Sequence, residues 1–154
     1  MTELPDFVAV KERYDNPDFG FRAELRRVAK PDDLALIPAF YRLLPGVRTD
    51  ARWQRVVYFL PFTTHLPEGK TLGQALSGKV KEERLFQVLR STPPNDLIQL
   101  SRLVRQIEPS VDWRKLGRSL WYWGETSYWG ETSKRRLIED YFSADSKTEK
   151  EALS

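Results

Sequence analysis

Twenty-five lysines and arginines accompany a single histidine and no cysteine in this 154-residue chain. General acid–base and nucleophilic catalysis most often recruit histidine, cysteine or converging carboxylates. Arginine instead suits binding, because its planar guanidinium grips phosphate bidentately and stacks on bases. The residue types therefore predict a protein that holds an anion and is not an enzyme. No cofactor is expected. Without cysteine there is neither disulfide nor thiolate metal site, and His65 alone cannot supply a zinc shell.

The motifs that resemble catalytic ones fail on context. Gly73-Gln-Ala-Leu-Ser-Gly78-Lys79 fits the phosphate-loop spacing, yet Val80 stands where the magnesium-binding hydroxyl belongs and no hydrophobic strand precedes it. The pairs Asp32-Asp33, Glu82-Glu83 and Glu139-Asp140 are chain neighbours, which point about 100° apart on a helix and so do not share a proton. They read as caps and solvated surface. His65, in a proline-bounded loop, reads as a surface or hydrogen-bonded histidine.

Charge is distributed unevenly. Acidic residues gather in the first 18 and last 11 positions, so a net charge of +3 for the whole chain conceals +7 between residues 19 and 143. Such a field attracts a polyanion. Hydrophobic residues make up 40% and aromatics 12%, enough for one domain's core. No apolar run approaches the roughly 20 residues that span a bilayer, and the acidic N-terminus is unlike a leader, so a cytoplasmic location is expected.

The elements that position the cations read as successive helices. In residues 21–30, Phe21, Leu25 and Val28 share a face opposite Arg22, Arg26 and Lys30. The next segment places Asp32 as N-cap, buries Leu34, Ile37, Tyr41 and Leu44, and kinks at Pro38. Trp53, Val56, Val57 and Leu60 form a third apolar face with Arg48, Arg52 and Arg55 on its far side, before a loop over 61–70. Residues 79–90 turn Leu85, Phe86 and Leu89 inward. Thr92 then caps a helix with Pro93 at its first position, whose arc of Leu97, Leu100, Leu103, Val104 and Ile107 opposes Arg102 and Arg105. Trp113, Leu116, Leu120 and Trp123 mark another core-facing helix, and Leu137, Ile138, Tyr141 and Phe142 the last. Trp121 and Trp129 fall off the apolar arcs and are the candidate exposed rings for base stacking. The pattern predicts an all-α protein, a compact bundle or two small helical lobes, over residues 1–143. A polar tail without apolar periodicity, expected to be mobile, follows from 144 to 154.

The hexapeptide Tyr-Trp-Gly-Glu-Thr-Ser occurs twice in succession, at 122–127 and 128–133. Gly124 and Gly130 are expected to interrupt helix there, giving an enlarged turn with Thr132 or Ser133 capping the final helix.

The strings LRRVAKPDDLALIPAFYRLL, TLGQALSGKVKEERLFQVLR, DLIQLSRLVRQIEPSVDW and YWGETSKRRLIEDYF resemble, in order, the sequence blocks of the CasB family, the small subunit of the type I-E CRISPR Cascade complex. The resemblance runs from about Glu24 to Phe142. It implies an all-helical, non-catalytic protein, present as two copies in a crRNA-guided complex, that lies along guide and target and stabilises the opened DNA. Its implied partners are crRNA, either strand of the target DNA, the other Cascade subunits and a second copy of itself. Carried over residue by residue, it assigns Arg27, Arg52 and Arg102 to nucleic acid, with Arg26, Lys79, Arg84, Arg90 and Arg105 as supporting contacts. Relatives tend to carry basic residues directly after the Trp-Gly pair. Here Glu131 and Thr132 intervene before Lys134, Arg135 and Arg136. Two other classes compete: a helical adaptor for acidic proteins, and a nuclease, which would need carboxylates clustered on a metal.

Overall fold

The computed structural model describes residues 4–123 and 128–153, with the side chains of 128–131 and 145–153 excepted. Nine α-helices occupy most of the described chain: α1 (Phe7–Asp15), α2 (Arg22–Arg26), α3 (Pro38–Leu43), α4 (Ala51–Phe59), α5 (Leu72–Leu76), α6 (Glu82–Arg90), α7 (Asn95–Ile107), α8 (Trp113–Tyr122) and α9 (Tyr128–Leu153). The all-α expectation is met. One addition is a two-residue parallel ladder of β1 (Thr64–His65) with β2 (Ser110–Val111), too short to leave a period-two pattern. It clasps the loop after α4 to the loop after α7.

The anticipated apolar arcs form one continuous core, except that on α6 Val88 is buried with Leu85 and Leu89 while Phe86, expected inward, stays half-buried outside it. Val56, Val57, Leu100, Val104, Trp113 and Leu120 are inaccessible or nearly so, and α4 packs between α8 and the 3-10 segment Pro31–Leu36. Lys11 shows that not every cation is on the surface. Its ammonium is buried, donating to Leu60 O at 2.9 Å and to Asp15 Oδ1 at 3.0 Å. Burial lowers its pKa, and the Asp15 contact only partly opposes that.

Helix starts differ from the sequence reading where proline intervenes. Asp32 lies inside the 3-10 segment, whose cap position is Lys30, and α3 begins separately with Pro38 at its first position. Pro38 cannot donate to a preceding turn, so the expected kink is a complete break. Tyr41 is consequently on the surface, its hydroxyl donating to Ala35 O at 2.6 Å. Helix α7 starts at Asn95 rather than Pro93, and Thr92 contributes its carbonyl, not its hydroxyl, to that turn.

The duplicated hexapeptide departs furthest from expectation. Its second copy opens α9: Gly130 lies within continuous helical backbone, and Thr132 and Ser133 are buried helix residues, not caps. Tertiary packing of α9 overrides the glycine's preference. Gly124 and the rest of the first copy after Trp123 lie outside the described residues. Helical backbone also passes residue 143 and reaches Leu153 through a run rich in Ala, Lys and Glu, residues that form helix without an apolar face.

Gly73, the first residue of the failed phosphate loop, has a packing role instead. It faces α9 so closely that a Cβ there would lie 2.2 Å from Leu137 O. The loop motif is thus a helix crossing.

Candidate nucleic-acid interface

Phe62 organises the cations of α2 and α7. It follows α4 in a buried 3-10 turn, and two guanidiniums lie over its ring, Arg105 at 4.2 Å and Arg26 at 5.6 Å. Arg105 also donates to Val28 O at 3.5 Å, and Arg26 pairs with Glu108 at 3.8 Å. Two like charges over one ring are held by its negative face and by these oxygens. Arg27 follows Arg26 as the C-cap of α2, and Arg102 stands one helical turn from Arg105. Both are exposed and make no hydrogen bond or ion pair to any described residue. Arg26, Arg102 and Arg105 therefore share one surface, with Arg27 next to Arg26 at the end of α2.

Lys79 connects to this surface indirectly. It lies in the turn before α6, where Gly78 takes a positive φ of 79°, not on a helix as the sequence suggested. With Lys70, Lys115 and Glu108 it lines an open groove, and Glu108 is the residue that Arg26 reaches. Basic groups thus continue from the Phe62 surface into the groove. Arg84 and Arg90 on α6 make only local contacts, Arg84 with Gln87 at 3.4 Å and Arg90 over Phe86 at 5.4 Å.

Arg52 differs again. Its Nε and Nη2 donate to Asp50 Oδ2 at 3.0 and 2.8 Å, and its guanidinium stacks 4.4 Å from the Trp121 ring while the side chain stays 44% exposed. Trp121 is therefore no stacking platform for bases: it is buried against Trp53 and Phe7 at 5.2 and 5.8 Å. The side chain of Trp129 lies outside the described residues. Arg55, placed by periodicity on the outer side of α4, turns onto α8 and donates to Leu120 O at 2.7 Å and to Trp121 O.

Three further groups show what composition alone missed. Asp96 is inaccessible to solvent and accepts from Trp123 Nε1 at 3.1 Å, Lys134 Nζ at 2.9 Å and Leu97 N at 2.8 Å. Lys134, one of the displaced basic residues, is thereby a link between α7, α8 and α9. His65 is half-buried and satisfied, its Nδ1 accepting from Trp113 N at 3.0 Å beside the Asp112 cap of α8. Among the described residues no group of three or more His, Cys, Asp or Glu could hold a metal, and no helix is long and apolar enough to cross a membrane.

Comparison with known proteins agrees with this architecture. The profile of CRISPR-associated protein Cse2 matches residues 21–142. The CRISPR system Cascade subunit CasB of Escherichia coli K12 is 32% identical over 158 residues, covering 92% of this chain and 95% of that protein. A chain in the crystal structure of E. coli Cascade bound to a PAM-containing double-stranded DNA target superposes with a TM-score of 0.79. It is 34% identical, and the match covers 92% of this chain and 99% of that one. With the profile spanning most of the chain and the relative matching nearly end to end, this protein belongs to the Cse2 family of CRISPR-associated proteins, the family of the CasB subunit.

Proposed function

We propose that the protein is the non-catalytic small subunit of a crRNA-guided surveillance complex, where it holds nucleic-acid backbone and stabilises the opened target. Its partners are crRNA, target DNA, the other Cascade subunits and a second copy of itself. One observation carries the reading beyond family membership: an Arg26–Arg105 pair is seated on Phe62, and their neighbours Arg27 and Arg102 are exposed without a partner among the described residues. Replacing a duplex by a guide–target hybrid is a nearly balanced exchange, so phosphate contacts of modest strength can tip it without reading sequence. Base pairing supplies specificity and arginine supplies position. Arg52, oriented by Asp50 and Trp121, adds a preset guanidinium. Lys79 extends the track, and Arg84 and Arg90 are its peripheral contacts.

The test is to assemble the complex with Arg27→Ala/Arg102→Ala protein and follow duplex opening together with salt dependence. Each lost phosphate contact should lower the slope of log K against log salt by about 0.7 to 0.9. The opened state should be shorter-lived, with guide retention unchanged. Identical opening kinetics would overturn the assignment.

A further inference from the structure

A second concave site lies away from the Phe62 surface, between α8 and α9 and closed at one end by the start of α5. Its volume is about 290 Å³, near the lower end of the roughly 300–1,000 Å³ of small-ligand sites. Leu72, Leu116 and Leu137 make an apolar floor. Cations stand around it: Lys115 and Arg118 from α8, and Arg136 from α9. The spacing is that of one helix face on each side, since Lys115, Arg118, Ser119 and Tyr122 stand at i, i+3, i+4 and i+7.

Among the described residues the charge of this cleft is uncompensated. Arg118 and Arg136 are exposed, line the same cavity from different helices, and make no hydrogen bond or ion pair to a described residue. Asp140 also lines the cleft, one turn from Arg136, yet no ion pair forms between them. Among the described side chains that line it, three cations against one carboxylate leave +2. Like charges across a cleft are unfavourable until an anion lies between them. A phosphate monoester, at about −1.5 to −2 near neutral pH, matches that excess, whereas an internal phosphodiester carries a single charge. A bare oxyanion would leave the leucine floor unfilled.

We propose that this cleft binds a nucleoside monophosphate unit, its terminal phosphate between Arg118 and Arg136 and its base on the floor of Leu72, Leu116 and Leu137. Two sources carry that chemistry, a free nucleotide and the 5′-phosphorylated end of a strand. The shared Lys115 makes the cleft adjoin the groove that Lys70 and Lys79 line with Glu68 and Glu108. The site does not depend on the Arg27–Arg102 assignment and stands if that fails.

Calorimetric titration of the full chain with AMP, adenosine and inorganic phosphate tests it. AMP should bind saturably, with adenosine and phosphate each at least tenfold weaker. Arg118→Gln/Arg136→Gln should abolish AMP binding without moving the melting temperature. Arg118→Lys/Arg136→Lys, which keeps charge but loses the bidentate fork, should retain weakened binding. Arg27→Ala/Arg102→Ala should bind AMP like the wild type. A 5′-phosphorylated oligonucleotide that displaces AMP, where its unphosphorylated twin does not, makes a strand end the source; AMP binding without such displacement makes it the free nucleotide. Absence of AMP binding, equal affinity for adenosine, or undiminished binding by the Arg118→Gln/Arg136→Gln protein would overturn the proposal.

Discussion

Arginines at the α4–α8 seam and arginines on the α2–α7 surface have the same helical spacing and opposite fates. At the seam, Arg55 donates to the carbonyls of Leu120 and Trp121, and Arg52 lies between Asp50 and the Trp121 ring. On the α2–α7 surface, Arg27 and Arg102 reach solvent with no partner among the described residues. The difference arises because α4 is packed by α8 on one side and by the Pro31–Leu36 segment on another. A helix flanked twice has little outer side, so position opposite an apolar arc marks a cation as surface only where nothing else packs there.

The largest expected effect lies on the buried face of the helix whose outer face carries Arg102. Asp96→Ala should destabilise the fold by about 3 kcal/mol in chemical denaturation, because it leaves the Trp123 indole N–H without its acceptor and takes the carboxylate from Lys134, which keeps only Leu89 O. Arg102→Ala on the same helix should stay within about 0.5 kcal/mol and act on nucleic-acid binding instead. If the two substitutions cost alike, the division between structural and binding faces of α7 is wrong.

Arg55→Ala and Arg27→Ala draw the same contrast at smaller scale. Arg55 makes two charged hydrogen bonds to backbone carbonyls, and losing such bonds costs about 1.5–3 kcal/mol apiece before water relieves the oxygens. About 2–3 kcal/mol is expected in thermal melts, against almost nothing for Arg27→Ala. Gly73→Ala at the α5–α9 crossing should follow at about 1–3 kcal/mol, since the added methyl meets the Leu137 carbonyl. A Gly73→Ala protein as stable as the wild type would mean that the crossing opens freely.

Much of the fold was legible because apolar arcs are statements about burial. Leu97, Leu100, Leu103 and Val104, or Trp113, Leu116 and Leu120, bury as their spacing requires. Arg26, Arg102 and Arg105 share a surface for the same reason, α2 and α7 each packing against the turn that holds Phe62. What stayed hidden needed tertiary information. Periodicity could place Arg55 opposite a core arc but could not see α8 arriving there, and Trp121, off its own helix's arc, is buried by α1 and α4. Glycine chemistry suggested a turn at the duplicated hexapeptide, whereas α9 continues through Gly130 because Thr132, Ser133 and Leu137 pack inward. The α8–α9 cleft was invisible for a related reason: Arg118 and Arg136 come together only across a helix pair.

The smallest effect concerns how both helices of the seam begin. Asp50 caps α4 and Asp112 caps α8, and in each case the arginine two residues on returns to the same carboxylate, Arg52 at 2.8 Å and Arg114 at 3.2 Å. Burial, complete at Asp112 and partial at Asp50, alone would raise both carboxyls, but hydrogen bonds from the arginine side chains and the helix N–H groups, with the arginine charges, outweigh it and hold both below the ordinary range. A carboxylate depressed on folding contributes stability that is complete above its unfolded pKa of about 3.9 and is lost as pH falls through the folded value. Asparagine caps a helix about as well as aspartate but does not titrate there. Asp50→Asn/Asp112→Asn should therefore cost little at neutral pH, and the wild type's advantage should shrink further as acid protonates its own carboxylates. Denaturation midpoints measured from neutral pH down to about 3 should converge for the two proteins, because pairs whose arginine stands in solvent are worth only about 0–1 kcal/mol. Parallel curves would mean that the caps hold by geometry alone, and that charge matters on the open α2–α7 surface but not at the closed seam.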